Sequence, residues 1–172
     1  MKDLVILAAD KDLEHAMKGL LARPQALGIR AVEADILVEP QHDPACARYG
    51  VEFISNFSRH YHYGLLMFDH KGSGMETTDP RALQNSLNDS LAHSPWGQRA
   101  KAIVLAPELE VWVWNDSPHI DEVAGWKNRN PGLRPWLIDR GWLREGEVKP
   151  DRPKEAFKEA LRAARKPRSA SL

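Results

Sequence analysis

The sequence predicts an α/β fold: a four-stranded, mainly parallel sheet flanked by helices, followed by a C-terminal helical extension. Three observations point to it. Strand-like and helix-like segments alternate four times. Two of the strand segments, Leu4–Ala9 and Leu65–Phe68, are continuous apolar runs, the signature of strands covered on both faces. The intervening segments carry helical periodicity or helix start signals. Residues 1–126 read as the α/β domain and 127–172 as the extension packed on it.

Each element follows from its residues. Leu4 to Ala9 makes the first strand, and Asp10 follows it. Leu13, Ala16, Met17, Leu20 and Leu21 then lie on one stripe of an amphipathic helix. Asp10, Asp12 and Glu14 crowd its start, where an N-cap acid and the positive end of the helix dipole favour them. Arg23-Pro24 and Gly28 end it. Ile29 to Val38 reads as a second strand, and its alternating acids Glu33 and Asp35 suit a sheet edge. Glu39 to Pro44 is a loop, and Ala45 to Arg59 a helix weakened by Gly50. His42, His60 and His62 read as surface or interface residues; one cysteine, Cys46, offers no Cys/His zinc cluster.

Leu65 to Phe68 is the third strand. It runs into Asp69-His70-Lys71-Gly72-Ser73-Gly74, an acid followed by a glycine-rich turn. Such a turn suits either a plain strand end or close approach to a ligand. Asp79-Pro80 opens a helix that runs to about His93. Lys101 to Ala106 is the fourth strand, stopped by Pro107. The following Glu108-Leu109-Glu110-Val111-Trp112 reads as a helix start rather than a strand. Short helices are expected near 120–126 and 135–142. Trp126, Trp136 and Trp142 are expected to pack in a core with hydrogen-bonded indoles. The last helix, 153–166, has the apolar stripe Phe157, Ala160, Leu161 and Ala164 and a basic face diluted by Glu155 and Glu159. Residues 168–172 are expected to fray.

Composition narrows the function. Lys plus Arg and Asp plus Glu both number 24, so no global field draws the chain to nucleic acid or membrane. A single cysteine cannot close an internal disulfide, which fits a reducing cytoplasm. The run at Leu4–Ala9 is too short for a signal-peptide core, and no apolar stretch reaches membrane-spanning length. A cytoplasmic protein with no membrane contact is the expectation.

In one common doubly wound order the first and third strands are neighbours, and the ligand crevice opens at their C-terminal ends. Asp10 ends the first strand, Asp69 the third, and Glu108 and Glu110 follow the fourth. Four acids at one edge supply hard oxygen ligands suited to Mg²⁺ or Mn²⁺, with phosphate oxygens completing the shell.

Asp10, the segment Phe68-Asp69-His70-Lys71-Gly72 and the later Pro107-Glu108-Leu109-Glu110-Val111-Trp112 resemble small stand-alone Toprim-like proteins. These occur in bacterial anti-phage and restriction-type loci, including methylation-associated defence systems, alongside the OLD-type nucleases. The resemblance covers roughly residues 3–126. It implies a metal-dependent nuclease or phosphodiesterase acting in phage resistance, with other defence proteins, a nucleotide or nucleic acid as partners. Asp69 would bind metal, Asp10 or Glu14 would move protons, and Glu110 would support the site. The chain departs from the family at two positions. It has Asp10, with Glu14 one turn on, where the family places a glutamate, and Lys71 where the family completes an Asp-x-Asp pair. Lysine removes a ligand and adds a positive charge. Lys71, Gly72 and Gly74 could therefore hold a phosphate without cutting it, which keeps a non-catalytic, degenerate Toprim-like module as the alternative.

Overall fold

The computed structural model describes residues 1–167. The expected fraying of residues 168–172 lies outside them. The described chain forms two compact units, Met1–Ala106 and a second beginning at Pro107. Residues 107–126, read from the sequence with the α/β domain, belong to the second unit in this division.

The first unit is a four-stranded, all-parallel sheet in the order β2-β1-β3-β4. The strands are β1 (Lys2–Ala8), β2 (Ala34–Val38), β3 (Tyr61–Asp69) and β4 (Ala100–Leu105). The connecting helices are α1 (Lys11–Leu21), α2 (His42–Ser55) and α3 (Pro80–Ala92). β1 and β3 are central neighbours, as expected, and the strand order reverses between them. Val5 to Ala9 and Leu66 to Phe68 have no exposed surface, which explains why both read as unbroken apolar runs. β2 is an edge strand of half-buried residues, and its Asp35 bonds Lys2 Nζ at 2.8 Å and the Tyr61 hydroxyl.

Two expectations change in detail. The second strand starts at Ala34 rather than Ile29. Its ladder opens at Leu4↔Ala34, and just before it Glu33 O accepts from Asp3 N at 3.1 Å and Leu4 N at 3.2 Å. Arg30 instead reaches back to Asp3 at 2.8 Å. The third helix of the expected order is intact, but the helix expected after Pro107 is a four-residue 3-10 turn, Leu109–Trp112.

β4 is the other edge, and α3 closes it with side chains. Ala102 N donates to Asn88 Oδ1 at 2.8 Å and Val104 N to Gln84 Oε1 at 3.0 Å. Amides that would otherwise template another strand are thereby satisfied. Trp96 closes the opposite end of β3. It is 1% exposed, donates its indole N–H to Ile54 O at 3.0 Å, and lies over Gly64. A Cβ on Gly64 would fall 2.9 Å from the Trp96 ring and 3.2 Å from Ala100 Cβ. The ring is held by its hydrogen bond and cannot yield freely. Gly64→Ala should cost about 1–3 kcal/mol through overpacking, measured as a drop in urea midpoint with unchanged m-value.

The second unit is small and helical: α4 (His119–Val123), α5 (Leu133–Asp139) and α6 (Pro153–Ala163). Its core joins Trp114, Trp126, Leu133, Leu137, Phe157 and Leu161. The buried indoles are satisfied, Trp114 by Pro153 O at 3.0 Å and Trp126 by Ala160 O at 2.9 Å. The packing role expected for Trp126 is therefore observed. Trp136 and Trp142 are half-buried and carry Arg140 and Arg152 over their rings. On α6, Glu159 pairs with Arg162 at 3.0 Å, as the mixed charge of that face suggested.

Candidate functional site

The C-terminal ends of β1, β2 and β3 gather acids in the first unit. Asp10 follows β1, Glu39 follows β2 and Asp69 is the last residue of β3. Asp69 is buried at 5% exposure and pairs in register with Leu105 of β4. Glu108 and Glu110 are buried at 4% and 8% exposure. Asp69 in the first unit, and Glu108 and Glu110 in the second, are each buried carboxylates of the kind that ligates a divalent cation.

The acid that sequence reasoning missed is Asp43. It lies in the first turn of α2, and its Oδ1 accepts the Asp69 backbone N–H at 2.8 Å. This bond fixes the backbone that carries Asp69. Burial holds the Asp43 carboxyl above its usual range, although the Asp69 amide bond opposes the shift; the nearby Asp10 charge adds to it. Cys46, one turn along α2, is also buried. Its thiol is pushed up to about 12 by burial and then by Glu39, Asp43 and Asp10, so it is inert as a nucleophile. Asp43 falls in the segment Glu39–Pro44 that the sequence reading took as a loop, whereas α2 already begins at His42.

The proton-transfer candidates are otherwise engaged. Asp10 is the N-cap of α1, its Oδ1 accepting from Leu13 N at 2.8 Å. Glu14 turns toward its own helix, bridging Lys11 at 2.6 Å and Lys18 at 2.7 Å, and lines a shallow groove with Ala34, Asp35 and Ile36 of β2. The two lysines hold its carboxyl down to about 2. Since that value lies below the unfolded one, the pair stabilises the fold above about pH 4.5, and this contribution is lost as pH falls toward 2. Glu14→Gln should remove about 1 kcal/mol at pH 7 and nothing near pH 2, read from urea midpoints at the two pH values.

The three histidines separate. His42 holds Ala9 O at 3.1 Å at the C-terminal edge, while His60 and His62 lie at the opposite end, where β3 begins. All three are exposed, in keeping with their reading as surface or interface residues.

The glycine loop beyond Asp69 is closed on itself. His70 Nε2 contacts Thr78 O at 2.9 Å, and the buried Ser73 hydroxyl donates to His70 O at 2.7 Å. Gly72 and Gly74 have φ of 93° and 75°, the left-handed region that glycine adopts without strain. Their N–H groups both donate to Glu76 Oε1, at 2.7 and 3.2 Å. Glu76 was legible in the sequence as part of a polar loop; its contact with both glycines was not.

No family model matches the sequence, and neither a curated protein nor a solved structure matches the chain. Among the described residues no helix is long and apolar enough to cross a membrane. The site must therefore be read from its own chemistry.

Proposed function

We propose that the C-terminal edge of the sheet binds a divalent cation together with a phosphate ester, and that the protein is a Toprim-like phosphodiesterase or nuclease component of a bacterial anti-phage system. The observation that carries this reading is Asp69: a buried carboxylate at the end of a central strand, beside the point where strand order reverses. The donor set fits Mg²⁺ or Mn²⁺, because carboxylate oxygens are the hard ligands these ions prefer. Asp69 would hold the ion, which when bound would neutralise phosphate charge. Asp43 would keep Asp69 in place through its amide. The loop from Lys71 to Gly74 would receive phosphate oxygens. A calorimetric titration with Mn²⁺ tests the reading: saturable one-to-one binding supports it, and no heat at millimolar metal, with or without a nucleotide, would sink it. A nuclease screen with that ion follows from a positive result.

A specific observation favours the second reading, a non-catalytic module that binds a nucleotide, nucleic acid or partner protein. Asp10 is engaged as a helix cap and Glu14 is locked between two lysines, so both carboxylates are committed to structural partners. Metal binding without turnover over any nucleic-acid substrate would decide for it.

A further inference from the structure

The loop that follows Asp69 already binds an anion, and the anion is its own. The N–H groups of Gly72 and Gly74 converge on one carboxylate oxygen of Glu76. Two amides of one short turn converging on a single oxygen resemble a nest, the backbone arrangement that elsewhere cradles phosphate, although the intervening Ser73 N–H is used by His70 O at 3.2 Å. Glu76 is exposed, so the carboxylate is not held there by packing. A second group lies beside the loop. A Cβ on Gly74 would lie 3.3 Å from Arg48 Nη2, so a guanidinium from α2 lies against the loop. Arginine beside a backbone nest is the pairing that recognises phosphate and sulfate oxygens.

We propose that the Gly72–Gly74 nest with Arg48 is a binding site for a tetrahedral oxyanion, a phosphate group in the cell, and that Glu76 is a built-in occupant which such an anion displaces. The inference deepens the phosphate-ester reading above and rests on it for the cellular ligand, but it needs none of the metal ligands. Glu76 sets the threshold. A monoanionic carboxylate tethered four residues from Gly72 competes at high local concentration, so a free anion enters only when it makes more contacts than the carboxylate gives up. The three amides of Gly72, Gly74 and Glu76 itself also hold the Glu76 carboxyl below its usual range, so it stays charged through the physiological range. On the other side of the loop, Asp43 Oδ2 lies 3.9 Å from the position of a Gly72 Cβ. That negative neighbour disfavours an anion near Gly72. A cation bound beside Asp43 would offset it and couple the two sites.

The test uses sulfate as the probe, without metal, and follows the backbone amide resonances of Gly72 and Gly74 in the full chain. Glu76→Ala clears the nest, and Glu76→Gln leaves an uncharged acceptor in it. The expected result is a saturable shift of both glycine amides. Half-saturation in Glu76→Ala should come at least about tenfold below that of wild type, with Glu76→Gln between them. Adding Arg48→Ala to Glu76→Ala should raise the midpoint again. A folded Glu76→Ala protein whose glycine amides do not respond would overturn the proposal. So would loss of the fold in both variants, since Glu76 would then be a strut the loop cannot release. A Mn²⁺ titration of the same Glu76→Ala sample separates the two readings. Sulfate failure with metal binding intact removes this inference alone, and metal failure with sulfate binding intact removes the metal-centred one.

Discussion

Replacing Trp96 with alanine should destabilise the first unit by about 3–5 kcal/mol. Three losses combine. The side chain is 1% exposed, so its removal leaves a cavity that the surrounding strands can only partly close. Its indole N–H leaves Ile54 O at the C-terminal end of α2. Its ring also carries Arg99, whose guanidinium carbon is 5.2 Å from the ring centre and whose N–H groups bond Tyr61 O, His62 O and Ser58 O at 3.1–3.2 Å. The anchor of the incoming β3 chain would loosen with it. Urea unfolding followed by far-ultraviolet circular dichroism gives the number, and a loss below about 1 kcal/mol would show that the ring is replaceable there. Trp96→Phe should recover part of the loss by refilling the space over Gly64, while leaving Ile54 O without the indole.

How much of this was legible in the sequence depends on the range of the interaction. The runs at Leu4–Ala9 and Leu65–Phe68 announced central strands because burial on both faces removes every polar residue from them. Asp79-Pro80 announced a helix start because cap chemistry is local, and Asp79 does accept from Ala82 N at 2.9 Å. The start of β2 was misplaced because the alternation of residues 29–33 carries no mark of where the ladder with β1 opens, at Leu4↔Ala34. Strand ends are set by the neighbouring strand, not by the strand itself. The same distinction holds at the candidate site. Asp10, Asp69, Glu108 and Glu110 could be picked out because strand ends are local features. Asp43 could not, because its partner Asp69 is 26 residues away and reaches it only through the β2-α2-β3 crossover. Trp96 went unremarked for the same reason, its acceptor Ile54 being 42 residues distant. Glu14 and Glu76 illustrate a further limit. Both were visible as acids near the right place, yet their charges are committed to neighbours, Lys11 and Lys18 in one case and loop amides in the other.

Asp69→Ala should abolish saturable Mn²⁺ binding, and Asp69→Asn should do so too while keeping the shape of the side chain. The backbone bond to Asp43 uses the Asp69 N–H and survives both changes, so the fold is expected to remain intact. What is lost is a buried carboxylate, and no neutral group replaces its charge toward a divalent ion. Wild-type affinity persisting in either variant would remove Asp69 from the site. Lys71→Asp then asks whether the site is short of one acid. The substitution changes the local charge by two units. Even at the dielectric of water, two opposite unit charges 4 Å apart attract by about 1 kcal/mol, and a divalent ion doubles that for each unit changed. A site lacking its second acid should therefore tighten toward Mn²⁺ by at least about tenfold. A site that already has its acids gains little from a further carboxylate and loses a cation that suits a phosphate. In that case Mn²⁺ affinity should barely move, while any cleavage of a phosphodiester should fall. The first outcome marks a binding module descended from a metal-dependent ancestor; the second marks Lys71 as part of a working phosphate site.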